Sequence, residues 1–150
     1  MGRVIGGWRV GSLLTLASGL PANPSISTNL DNVPDNTDRP DRIGSGTVSN
    51  PTVDGWWNPA AFRPQARYTF GNSGRNVLHA PGVATANLVV GKFTQVTENQ
   101  RVEFRMEMFN FTNTPNFGVP TLDVANPNFG KITGTDGDPR ILQMALKVAW

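Results

Sequence analysis

The side chains able to do chemistry are few, and their spacing brings none of them into a familiar catalytic set. His79 is the single histidine and cysteine is absent. A Ser-His-Asp arrangement would therefore rest on His79 alone, and a disulfide scaffold, a thiol nucleophile or a structural zinc site lacks its ligands. Asp31, Asp35, Asp38 and Asp41 supply oxygens that could bind a hard cation. Their spacing nevertheless lacks the alternating Asp/Asn ligands, central Gly and closing Glu of an EF-hand loop. Turns and local Asp-Arg pairs are the expected use of these residues. Glu103 and Glu107 share a strand parity with Arg101 and Arg105, which should pair with them rather than leave two carboxylates free for acid-base work. Trp56, Trp57 and Tyr68 could stack on a sugar ring, or the Trp pair could anchor a loop. The run FGNSGRN at 70–76 carries Gly71 and Gly74 but has neither the Lys nor the strand-loop-helix context of a phosphate loop, so it reads as a turn. No metal, no cofactor and no enzymatic activity are expected.

Composition narrows the class further. The 150 residues carry 13 basic and 11 acidic groups, a net charge of +2, with no basic cluster to mark a nucleic-acid interface. No apolar run approaches the roughly 18 residues of a membrane helix, and no signal peptide is evident. With 16 Gly and 12 Pro the chain reads as rich in strands and loops.

Prolines divide the chain into ladder-forming windows at 1–20, 82–114 and 140–150. In the last window Leu142, Met144, Leu146, Val148 and Trp150 alternate with Ile141, Gln143, Ala145, Lys147 and Ala149, which is the period of a strand with one wholly apolar face. Arg101, Glu103, Arg105 and Glu107 alternate in the same way with Val102, Phe104, Met106 and Met108, a pattern that a helix would smear around its circumference. Ala86, Leu88 and Val90 precede the polar break Thr97–Gln100, so residues 84–112 form one hairpin. Trp8, Val10, Leu14 and Leu16, interrupted by Ser12, mark a fourth strand. The expected organisation is one β-barrel segment over 1–150, with strands at about 5–18, 84–96, 100–112 and 140–150 and long connections at about 21–82 and 113–139.

Long connections alternating with a short turn, between strands polar on one face and apolar on the other, match transmembrane β-barrels, which have short periplasmic turns and long external loops. This reading places both long loops outside and the Arg101–Glu107 face in the lumen. It sets Trp8 and Trp150 at the periplasmic interface and Phe109 and Phe111 at the outer aromatic girdle. The fold class is therefore all-β: antiparallel strands of a transmembrane barrel in the outer membrane of a Gram-negative bacterium.

The segments DRPDRIG (38–44), WWNPAAF (56–62), FGNSGRNVLHAPG (70–82), FRMEMFNFTNTPNFG (104–118) and NPNFGKITGTDGDPRILQMALKVAW (126–150) resemble, in this order, the C-terminal end of TonB-dependent outer-membrane receptors. The closest group is the Oar-like type with a carboxypeptidase-regulatory-like N-terminal domain. The resemblance implies a plugged barrel of about 22 strands and energised import of a bulky substrate through the TonB system. It also implies insertion by the barrel-assembly machinery, whose C-terminal signal falls on Leu142, Met144, Leu146, Val148 and Trp150, with Trp in place of the commoner Phe. Expected partners are the remainder of the barrel, its plug, facing Arg101, Glu103, Arg105 and Glu107, and outer-membrane lipid. Four strands cannot enclose a pore, so the chain reads as the last part of a receptor, with Met1 in a periplasmic turn. The alternative is a free-standing surface or secreted β-domain binding carbohydrate through Trp56, Trp57 and Tyr68.

Overall fold

The computed structural model describes residues 5–34 and 37–150, so Asp35 lies outside the described residues. The chain divides into two compact units, Met1–Ala17 with Val83–Asn116 and Gly137–Trp150, and Ser18–Gly82 with Phe117–Asp136.

The first unit is a four-stranded antiparallel sheet in the order β1 (Trp8–Ala17), β8 (Val83–Gln95), β9 (Arg101–Phe109), β10 (Ile141–Ala149). Its register is unbroken: Trp8 pairs with Lys92, Lys92 with Phe104, and Phe104 with Leu146. Side chains alternate across a pleat, so this register fixes two faces. One carries Trp8, Val10, Leu14 and Leu16 of β1, Leu88 and Val90 of β8, Phe104, Met106 and Met108 of β9, and Leu142 to Val148 at even positions of β10. The other carries Arg9, Asn87, Gln95, Arg101, Glu103, Arg105, Glu107, Gln143 and Lys147.

The hairpin between β8 and β9 closes through Val96 N–H to the Gln100 carbonyl at 2.9 Å, and Gln100 N–H donates to Thr97 Oγ1 at 3.1 Å. At the other end β9 stops at Phe109, short of the expected 112, because Asn110 takes a left-handed φ of 46°. Its buried amide then replaces the ladder, donating to the Thr114 and Asp138 carbonyls at 3.0 and 3.2 Å and accepting from Thr114 N–H at 3.0 Å. Asn110→Ala strands these groups and should cost about 1–3 kcal/mol. A lowered thermal midpoint of the folded barrel, by gel heat-modifiability, checks it.

The second unit differs from the two separate loops that the sequence suggests. Segments 18–82 and 117–136 fold together around a core of Ala22, Trp57, Ala61, Phe62, Leu78 and Phe129. Its ladders are short: β2 (Pro21–Ala22) with β7 (Leu78–His79), β3 (Asp41–Arg42) with β6 (Phe62–Arg63), and β4 (Thr47–Thr52) with β5 (Gly55–Trp57). The two segments interlock through backbone bonds, Ser25 N–H to Leu122 O at 3.0 Å, Trp56 N–H to Gly130 O at 2.8 Å and Ile132 N–H to Val53 O at 2.8 Å. Gly130 is required where it sits: its φ is +76°, and a Cβ there would lie 2.9 Å from the Trp57 carbonyl oxygen.

The segments that carry the family resemblance are fixed by local caps and by one another. Within WWNPAAF, Asn58 caps a 3-10 turn at Pro59–Ala61, its side chain accepting from Ala60 N–H at 3.1 Å. DRPDRIG is clamped by FGNSGRN: Arg42 N–H donates to Asn72 Oδ1 at 2.7 Å, and Ser73 N–H to the Pro40 carbonyl at 3.0 Å. FGNSGRN is thus a structural clasp in this unit, which accounts for its glycines without any phosphate.

Candidate functional site

The functional feature of the first unit is a surface, and its two faces have opposite chemistry. On the apolar face Val10 is 70% exposed, Met144 69% and Leu146 69%, and neither edge strand has a further partner among the described residues. Exposing a contiguous stripe of Leu, Val, Met and Trp to water is unfavourable at about 25 cal/mol per Å², and such a patch on a protein marks a surface meant to be covered. Lipid covers it without any second protein layer.

The exceptions on this face lie where a membrane boundary would tolerate them. Lys92 places its ammonium 4.8 Å from the Trp8 ring centre and donates to the Gly6 carbonyl at 2.6 Å. A lysine whose stem runs over apolar surface toward an aromatic belt is the usual device at an interface. Trp8 is level with Leu146 across the sheet, four residues short of Trp150. Four residues at ~3.3 Å each, offset over three strand spacings of ~4.8 Å, correspond to a tilt of about 40°. Transmembrane barrel strands tilt by roughly 35–45°, so both tryptophans reach one membrane level when the sheet is tilted as a barrel wall.

The opposite face carries the charged ladder. Arg105 pairs with Glu107, whereas Arg101 and Glu103 form no ion pair among the described residues, so one of the two expected pairs is made. Arg9 stacks its guanidinium 4.5 Å from the Phe93 ring centre. Gly91, opposite Arg9, and Gly11, opposite Val89, share this face without side chains and leave a shallow cavity of about 310 Å³ between Arg9, Phe93, Glu103 and Arg105. Phe109 requires a correction. It pairs with Ile141 and so stands on the Arg/Glu face, not in an apolar girdle, while Phe111 follows the end of the ladder.

Of the residues proposed for loop recognition, Trp57 is 2% exposed and belongs to the core, packed against Phe129 at 6.0 Å between ring centres. Trp56 is half-buried, and both indole N–H groups donate to the His79 carbonyl at 3.0 Å. The Trp pair therefore secures its own unit, and Trp57 has no ring face to offer a sugar; Tyr68 is exposed and lies outside that core. The His79 side chain is exposed and serves through its backbone. Asp41 pairs with Arg63 at 3.7 Å, and Asp38 is buried. Among the described residues no three His, Cys, Asp or Glu side chains converge on a metal position.

No helix among the described residues is long and apolar enough to cross a membrane, which says nothing of strands. No curated protein and no solved structure matches the chain. The family described as an outer membrane beta barrel domain matches residues 1–143. With that match over nearly its whole length, and with a sheet apolar on one side and charged on the other, the chain belongs to the outer membrane β-barrel domain family and resides in the outer membrane of a Gram-negative bacterium.

Proposed function

We propose that the chain forms the closing strands of a TonB-dependent transporter, with the charged face of β9 lining a lumen filled by a plug and the second unit standing outside the cell. The observation that supports this most is the pairing of an uncovered apolar face with a charged one, on a sheet whose two edges await further strands. A four-stranded wall does not close, and open edges in lipid leave a row of backbone groups unsatisfied. The remainder of the barrel supplies that pairing. A lumen wide enough for the charged ladder suits passage of a bulky polar substrate, and transport rather than catalysis is the activity proposed. Site-specific cross-linking in cells between TonB and the complete protein tests it: adducts that depend on the folded receptor are expected, and their absence from correctly inserted protein would overturn the TonB assignment.

Within this reading Leu142, Met144, Leu146, Val148 and Trp150 form the signal read by the barrel-assembly machinery. Trp150 is 90% exposed, so its deletion should leave the stability of inserted protein unchanged while lowering the amount inserted several-fold. Quantitative blotting of outer membranes, with heat-modifiability of the inserted fraction, separates the two effects. Normal insertion would remove Trp150 from the signal.

A further inference from the structure

The charged face of the first unit contains two glycines that its own fold does not demand. Gly11 stands opposite Val89, and Gly91 stands between Arg9 on one neighbouring strand and Arg105 on the other. A glycine inside a strand forgoes a packing side chain and has more chain entropy to lose on folding. It is favoured where the backbone takes a left-handed φ, or where another backbone or a ligand comes too close for a Cβ. The first reason does not apply, since the left-handed glycines among the described residues are Gly7, Gly130 and Gly137. Nor does this chain itself crowd the two positions. A Cβ at Gly11 would meet nothing within 4 Å, and one at Gly91 would meet the Phe104 carbonyl oxygen at 3.8 Å and Arg9 Cβ at 3.9 Å, which is ordinary contact.

Both glycines line the same cavity of about 310 Å³, with Arg9, Phe93, Glu103 and Arg105 around it. Arg9 is held by Phe93, over whose ring its guanidinium lies at 4.5 Å, and Arg105 is held by Glu107. Glu103 is half-buried and enters no ion pair among the described residues. A floor without side chains is thus bordered by guanidinium donors and a carboxylate acceptor. That is the complement of a peptide group, which offers one C=O and one N–H. A further barrel strand beyond β1 extends the sheet in its own plane, whereas side-chain positions project perpendicular to it. The occupant that fills this space therefore lies over the sheet, on its charged side.

We propose that the cavity seats an extended main-chain segment of the plug, which crosses backbone-first over Gly11 and Gly91 with carbonyl oxygens toward Arg9 and Arg105 and an N–H toward Glu103. The inference rests on the transporter reading, which supplies the plug, and adds where on the wall the plug is held.

The test uses the complete protein in outer membranes, with a photo-reactive diazirine amino acid in place of Val89, which lines the same cavity. The expected adduct joins Val89 to a segment that precedes the barrel. Gly11→Leu and Gly91→Leu fill the cavity, so they should abolish that adduct and raise ion conductance in planar bilayers about tenfold, with insertion unchanged. Gly11→Ala and Gly91→Ala control for the wall itself. Both positions have room for a Cβ, so these variants should insert at the native level, and loss of folded barrel from either would assign the glycines to the sheet and overturn the proposal. Leucine variants that insert normally and keep the native adduct and conductance would also overturn it, as would adducts confined to other barrel strands. Should a leucine variant fail to insert, the site of the native adduct decides. Failure of the seat alone leaves the cross-link to TonB intact, whereas a native barrel that conducts freely and yields no adduct has no plug and removes the transporter reading as well.

Discussion

Met106→Arg should remove most folded protein from the outer membrane, while Gln143→Arg, on the neighbouring strand one register position along and therefore on the other face, should be carried normally. Met106 lies near the middle of β9 on the apolar face, between Val90 on β8 and Met144 on β10. An arginine held at the middle of the hydrocarbon costs about 2–4 kcal/mol in a transmembrane barrel. At 1.4 kcal/mol for each factor of ten, that shifts the folding equilibrium by roughly 30- to 700-fold. Gln143 stands opposite Glu107, so a cation there gains a carboxylate neighbour at no desolvation cost. Blotting of outer-membrane fractions, with heat-modifiability to score folded barrel, compares the two. Equal losses in both variants would mean that the faces do not differ in their surroundings.

Phe129→Ala should unfold the second unit while sparing insertion of the sheet. Phe129 is nearly fully buried and packs its ring edge-on to Phe62 at 5.7 Å and tilted against Trp57 at 6.0 Å. Truncating a buried Phe typically costs about 3–5 kcal/mol, a large share of what a unit of this size can hold. The sheet draws its stability from its own ladder and from lipid, and no ladder of β1, β8, β9 and β10 includes this residue. The expected signature is rapid protease cleavage within 18–82 and 117–136 in an otherwise heat-modifiable barrel. Loss of the inserted barrel as well would show that the second unit is needed for assembly.

The long strands were legible because each of them satisfies two demands in alternation. Arg101, Glu103, Arg105 and Glu107 cannot all stand on the side opposite Val102, Phe104, Met106 and Met108 unless the backbone is extended, and only an extended chain with different media on its two sides is served by that arrangement. Phe109 shows where aromatic preference misleads. Its odd position already groups it with Arg105 and Glu107, and the observed pairing with Ile141 follows that parity rather than the expectation of a girdle.

The second unit was illegible for a physical reason. Its paired segments run from two to six residues, too short for any period to register, and its core is gathered from Ala22, Phe62, Leu78 and Phe129, which lie far apart in the chain. The aromatic content of 56–70 signalled that something there must pack, but not what. Nothing in the sequence separates Trp57, buried, from Trp56, half-buried, since both indoles bond the same His79 carbonyl. Asp38 was visible only as one aspartate in a cluster. Its burial, and the two acceptors left without donors beside Gln65, come from a contact between residues 27 positions apart.

The claim on which the rest depends is that even-numbered positions of β9 and β10 meet lipid while odd-numbered ones do not. The chain contains no cysteine, so single cysteines placed in turn at 101–108 and 142–148 can carry a nitroxide label without background. Collision rates with oxygen, which concentrates in lipid, and with a water-soluble nickel chelate then report the medium at each site in the native membrane. The account predicts a period of two along both strands, with oxygen favoured at Val102, Phe104, Met106, Leu142, Met144, Leu146 and Val148 and not at Glu103, Arg105 or Gln143. Equal access of the nickel chelate to both parities would show a sheet wetted on both sides and would contradict its role as a barrel wall.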